Sequence, residues 1–131
     1  MYRLAAALLA LTVSATTPAH LHIIVDVGPQ TSPVHAEQAT LRCDSDHTQA
    51  TGFLRTRSKA ACQLIRRGVL SQVIRDQKSR RLCNQIYSGP QHAQITGTIG
   101  AKRVDLTITR TDGCGTGDWD KLKTLLGRPE R

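Results

Sequence analysis

Ala93-Gln94-Ile95-Thr96-Gly97-Thr98 and Arg103-Val104-Asp105-Leu106-Thr107-Ile108-Thr109, joined by Ile99-Gly100-Ala101-Lys102, decide the fold class. Both runs alternate apolar and polar residues, and side chains on a strand alternate between its two faces. Val104, Leu106 and Ile108 therefore share one face. Two such runs with a short glycine-containing connection read as a β-hairpin.

Working outward, His22-Ile23-Ile24-Val25-Asp26-Val27 is β-branched and apolar and reads as a strand that stops at Gly28-Pro29. Gln30 to Pro33 is a turn-rich connection. Ala39-Thr40-Leu41-Arg42-Cys43 alternates, with Leu41 and Cys43 on one face, and Asp44 to Gly52 is polar and reads as loop. Ser58 is placed to cap a helix over Lys59–Arg67, where Ala61, Leu64 and Ile65 stand at helical spacing and Gly68 follows as a stop. Val69, Leu70, Val73 and Ile74 repeat that spacing, as a second short helix or an amphipathic turn before Asp76. Beyond the hairpin, Asp112-Gly113-Cys114-Gly115 reads as a tight turn. A last helix is expected from about Asp118, with Trp119, Leu122, Leu125 and Leu126 as its apolar stripe, Gly127 as its stop and Pro129 beyond. The chain is thus α+β, an antiparallel sheet with two or three short helices packed on it.

The first residues read as a leader rather than as structure. Arg3 is a positive flank, and Leu4 to Val13 form an apolar run too short to span a bilayer with margin. Val13-Ser14-Ala15 and Thr17-Pro18-Ala19 are both small-x-small cleavage sites, so residues 1–19 are assigned to the leader, cut after Ala15 or Ala19. The alternative is an uncleaved anchor. Residues 20–131 make one domain with one core. All four cysteines lie in that part, and an even count in a small exported chain reads as a disulfide framework. Four cysteines allow three pairings, and spacing does not choose among them. No Cys-x-x-Cys pair favours zinc.

The formal charge is +8, and loss of Arg3 with the leader lowers it by one to +7. Such a charge attracts polyanions or acidic protein surfaces. Aromatic residues are scarce, however, so no stacking platform for single strands exists, and no specific nucleic-acid partner is expected. The basic run from Arg66 to Arg81 is first a solvated face, and second a surface that steers a negatively charged partner.

No catalytic constellation is visible. His20, His22, His35, His47 and His92 are scattered and form no His-x-x-x-His or His-Glu-x-x-His pattern, and there is no Gly-x-Ser-x-Gly elbow. Gly113-Cys114-Gly115-Thr116-Gly117 resembles a phosphate cradle but lacks the following lysine. No enzyme activity, cofactor or metal is expected. Leu82-Cys83-Asn84-Gln85-Ile86-Tyr87-Ser88-Gly89-Pro90 stands out for another reason. It is a short stretch tied to the body at a cysteine, and so suited to being presented stiffly to a partner.

Several segments together carry a family resemblance: Ala39-Thr40-Leu41-Arg42-Cys43, Ala60-Ala61-Cys62-Gln63-Leu64, Cys83 through Pro90, Ile95-Thr96-Gly97-Thr98, Gly100-Ala101-Lys102-Arg103-Val104 and Arg110-Thr111-Asp112-Gly113-Cys114. Over roughly residues 22 to 126 the chain resembles the Streptomyces subtilisin inhibitor-like family of secreted actinobacterial serine protease inhibitors. The resemblance implies a five-stranded antiparallel sheet carrying two helices, usually dimerised through the sheet, so a homodimer is expected. It implies the disulfides Cys43–Cys62 and Cys83–Cys114. It implies a secreted, reversible inhibitor of serine endopeptidases, subtilisin-like and in some members trypsin-like. The bond presented to the protease lies two residues after the third cysteine in that family, which is Gln85–Ile86 here. Gln85 would then enter the specificity pocket, with Leu82, Cys83, Asn84 and Tyr87 as flanking contacts.

Two positions depart from the family pattern. Gln85 stands where subtilisin inhibitors commonly offer Met or Leu and trypsin inhibitors Lys or Arg. Asp112 stands where the family often places an asparagine that braces the loop, and its charge is a candidate partner for Arg80 or Arg81. Two other readings belong to different classes. One is a non-inhibitory secreted protein that uses its basic face on cell-envelope polyanions. The other is a small secreted hydrolase built on the histidines.

Overall fold

The computed structural model describes residues 17–28 and 36–128. The leader up to residue 16, the connection Gln30 to Pro33 and Pro129 lie outside the described residues. Five strands form one sheet: β1 Ala19–Asp26, β2 Ala36–Cys43, β3 Thr48–Gly52, β4 His92–Ile99 and β5 Lys102–Thr109, in the order β3-β2-β1-β4-β5. Every neighbouring pair is antiparallel. Four helical segments complete the fold: α1 Ser58–Arg66, α2 Val69–Lys78, α3 Gly113–Lys121 and α4 Lys123–Leu126. The α+β architecture with an antiparallel sheet of five strands is as expected.

The hairpin β4–β5 closes with Ile99 opposite Lys102, so only Gly100 and Ala101 turn. Gly100 has φ +60° while no non-glycine residue among the described ones, Ala101 included, has a positive φ, the pattern of a type II′ turn whose twist suits the flanking strands. Period-two alternation then puts Ala93 and Ile95 on the same face as Val104, Leu106 and Ile108. β1 lies in the middle and continues that face with Ala19, Leu21, Ile23 and Val25, and β2 with Ala39, Leu41 and Cys43. The helices cover this face with Ala61, Leu64, Ile65, Leu70, Val73, Trp119, Leu122, Leu125 and Leu126. Trp119 is fully buried, and its indole Nε1 donates to the Gly127 carbonyl at 3.1 Å. Burying a Trp without such a partner would strand its N–H.

Five local expectations are corrected. β1 begins at Ala19, three residues before the expected strand, because Ala19 pairs with both Cys43 and Ile99 and is fully buried. Within the stretch expected to be loop, Thr48–Gly52 is the edge strand β3. Its pattern is polar because an edge strand above a solvated face has little to bury; Thr40 and Thr51 hydroxyls meet across it at 2.6 Å. Ser58 is not a cap but the first residue of α1, and its hydroxyl pairs with that of Thr48 at 3.2 Å. The turn expected at Asp112–Gly115 is the start of α3, five residues earlier than the expected helix. Finally, the last apolar stripe is split at Leu122, which caps α3 and precedes α4.

The disulfides are Cys43–Cys62, joining the end of β2 to α1, and Cys83–Cys114, joining the α2–β4 connection to the first turn of α3. This is the pairing that the resemblance implies. Each closes a loop worth about 3–4 kcal/mol in the chain-entropy account. No helix among the described residues is long and apolar enough to cross a membrane.

Candidate functional site

The irregular stretch between α2 and β4 contains the expected loop residues Leu82, Cys83, Asn84, Gln85, Ile86 and Tyr87, while Asp112 and Cys114 stand at the start of α3, and Cys43 and Cys62 in β2 and α1. α2 ends at Lys78, the backbone turns extended at Ser79, and no helix or strand forms again until His92. Over this stretch the chain is held at four points instead of by a ladder.

The first is Arg81. Its guanidinium donates from Nη1 to Asp118 Oδ1 at 3.0 Å and from Nη2 to Asp118 Oδ2 at 2.7 Å. Asp118 sits on α3 and is 1 % exposed, and Gln77 Nε2 on α2 donates to its Oδ2 at 3.5 Å and to the Thr107 carbonyl at 3.1 Å. A two-pronged arginine–carboxylate pair fixes direction as well as distance. The hydrogen bond that Arg81 donates to Asp118 raises the Arg81 pKa, against the opposing effect of burial.

The second and third points are adjacent. The Cys83–Cys114 bridge bonds the stretch to α3 covalently, and the Asn84 carbonyl accepts from the Gly113 N–H at 3.0 Å. A Cβ at Gly113 would push aside the Asn84 side chain, whose Oδ1 lies there. That oxygen is itself engaged, accepting from the Ile86 N–H at 3.3 Å. The fourth point is the Ser88 N–H, which donates to the Arg110 carbonyl beyond β5 at 2.8 Å.

Between these anchors the side chains face solvent. Leu82 is 103 % exposed, Ile86 65 % and Tyr87 61 %, and these are the exposed large hydrophobic residues among the described ones. Asn84 and Gln85 are exposed as well, and Gln85 Nε2 donates back to the Cys83 carbonyl at 3.2 Å.

The Asp112 carboxylate does not reach Arg80 or Arg81. It caps α3 instead, with Oδ1 accepting from the Gly115 N–H at 2.8 Å, while its carbonyl accepts from the Thr116 N–H and hydroxyl. A free helix N-terminus is a stronger claim on a nearby carboxylate than an exposed cation. Arg81 finds the buried Asp118, and Arg80 stays exposed. Asp112 supports the stretch indirectly, by fixing the turn that carries Gly113 and Cys114. Arg81, Asp118, Gln77 and Gly113 were not singled out from the sequence for this role. An aspartate before a glycine-rich run could have signalled a helix cap, but nothing local links residue 81 to residue 118.

No other cluster among the described residues forms a site. Ligand atoms of Cys83, Asp112 and Cys114 lie within 4.8 Å of one another, but the two sulfurs are bonded together and leave no thiolate for a metal. His20 and His22 line an open hollow of ≈ 470 Å³ on the sheet face away from the helices, beside Thr40, Arg42 and Thr51. His22 bonds Gln38 at 3.1 Å, and His20 lies 3.9 Å from Asp44, so no nucleophile is paired with either ring. His92 lies at the far end of β4 near Asp26, His47 in the β2–β3 turn, and His35 is outside the described residues. Comparison with protein-family models, with curated proteins and with solved structures found no match in any of the three.

Proposed function

We propose that the protein is a secreted, reversible inhibitor of serine endopeptidases, acting through Leu82–Tyr87 with Gln85–Ile86 as the bond offered to the protease. One observation carries this reading. The exposed large hydrophobic side chains gather on one irregular stretch that is anchored on both sides of its exposed bond. Exposed apolar groups on a rigid support mark a binding surface. An extended segment entering a protease cleft as an added strand gains backbone hydrogen bonds, as a substrate does. Because the disulfide, the Asn84–Gly113 bond and the Ser88–Arg110 bond already order it, little chain entropy remains to be lost on binding. The same anchors would hold both new ends in place after a cut, so resealing competes with release. The interface expected is about 1,600 Å² in total.

Two disulfides fit an oxidising compartment, in keeping with the leader at the N-terminus. Of the two cleavage sites, the one after Ala15 leaves β1 whole, whereas the one after Ala19 removes a fully buried core residue. We therefore place the mature N-terminus at residue 16. The alternative of a polyanion-binding role rests on the exposed cations Lys59, Arg66, Arg67, Arg75 and Lys78 of α1 and α2.

The test is a titration of the mature protein against subtilisin, trypsin and chymotrypsin, with any cut bond mapped by mass. Stoichiometric inhibition of subtilisin with slow cutting at Gln85–Ile86 supports the reading. No inhibition of any of the three, combined with salt-sensitive binding to envelope polymers that ignores changes at Gln85 and Ile86, favours the alternative.

A further inference from the structure

Arg81 is an arginine one residue before a fully exposed leucine, in a chain segment held out toward proteases, and Arg80 precedes it. A trypsin-like enzyme recognises an arginine by seating its guanidinium on an aspartate at the base of a pocket. Here the same group is already seated on an aspartate of the protein itself. Both oxygens of Asp118 take a donor from it, at 3.0 and 2.7 Å, and the side chain of Arg81 is only 28 % exposed.

We propose that Arg81 and Asp118 form a latch that withholds the Arg81–Leu82 bond from trypsin-like proteases, so that the loop offers Gln85 and not Arg81. The guanidinium cannot occupy both carboxylates at once. To be cut after Arg81 the protein must first leave Asp118 buried with only the Gln77 amide beside it. Uncompensated buried charge is costly enough to lower the open population on the order of 10²- to 10³-fold. Cleavage of a transiently opened site follows that population when reclosing is fast. The pair is therefore a specificity-determining element of the loop. Its purpose rests on the inhibitory reading above, whereas its existence and effect do not.

The test is a tryptic time course on the disulfide-bonded protein, with each cut mapped by mass. Asp118→Asn keeps the shape and weakens the pair. Arg81→Lys keeps the charge but exchanges a two-pronged fork for a single ammonium, and gives trypsin no better residue. Both variants are expected to be cut after residue 81 at least tenfold faster than the parent, with cuts in α1 after Lys59 and Arg66 unchanged. Those α1 cuts report unfolding of the molecule as a whole. An unchanged rate after residue 81 in both variants overturns the proposal, as does a rise only in step with the α1 cuts. Should Asp118→Asn not fold, Arg81→Lys alone decides. Subtilisin inhibition and the cut at Gln85–Ile86 are scored separately, so failure of the inhibitor reading leaves this outcome legible.

Discussion

Gln85 spends its side-chain amide on its own loop, donating to the Cys83 carbonyl. Before it can enter a protease pocket it must give up that bond and gain an equivalent one, and a greasy slot provides none. Gln85→Met is therefore expected to tighten subtilisin inhibition by about tenfold, the scale of one methylene buried in an apolar pocket. Gln85→Lys is expected to move the preference toward trypsin, and an unchanged inhibition profile would argue against Gln85 as the pocket residue. Gly113 makes a second test. Gly113→Ala puts a methyl group where the exposed Asn84 amide lies, so that flexible side chain must turn aside and give up its bond to the Ile86 N–H, a loss of about 0.5–1.5 kcal/mol. Denaturant melts should register that loss, and the cut at Gln85–Ile86 should become faster as the Ile86 N–H loses its partner. At this scale the proposed bond comes from the family resemblance, which sets it two residues after Cys83, and the exposure of Ile86 and Tyr87 is compatible with it. The partners of its neighbours were not legible in the sequence, because Arg81–Asp118 and Asn84–Gly113 join residues far apart in the chain.

The start of α3 ties a helix cap to the exposed loop. Asp112 caps it, and the first turn so fixed carries both Gly113 and Cys114, to which the loop is bound. A helix cap needs an acceptor, and asparagine and aspartate serve about equally well. Asp112→Asn should accordingly leave stability within a few tenths of a kcal/mol, while Asp112→Ala should cost about 1 kcal/mol. Thermal melts of the two variants distinguish them, and equal losses would mean that the carboxylate charge matters more than the cap. The elements with regular alternation, β4 and β5, were readable from their apolar spacing alone. β3 and the first turns of α3 were not. One is a polar edge strand, and the other is rich in glycine, which propensity assigns to turns and which the cap and the disulfide override.

For the molecule as a whole, the two disulfides have different roles. Cys43 is 2 % exposed and Cys62 is buried, whereas Cys83 and Cys114 are partly open to solvent. Mild reductant should open Cys83–Cys114 first. Inhibition should then fall while far-ultraviolet circular dichroism stays constant, with alkylation mapped to residues 83 and 114. Early labelling of Cys43 or Cys62 would contradict this order. The homodimer that the family resemblance implies would use the sheet face left open by the helices. Ile24 stands there between Gln38 and Gln94. Ile24→Glu is expected to halve the mass measured by light scattering without lowering the melting temperature, and an unchanged mass would exclude this face. The number of layers was legible from the sequence, since period-two and helical patterns both appear with one apolar face each. Strand order was not, because it depends on pairings that no local pattern encodes.

That order has a consequence for how the chain is made. β1 is the first of the described strands to be synthesised yet occupies the centre of the sheet, and its first residue, Ala19, pairs with Ile99. Contacts so distant in sequence close slowly. Until residue 99 has left the ribosome the central strand lacks one neighbour, and the sheet cannot be completed. Completion of the sheet is thus a late event in synthesis, which suits the export proposed above.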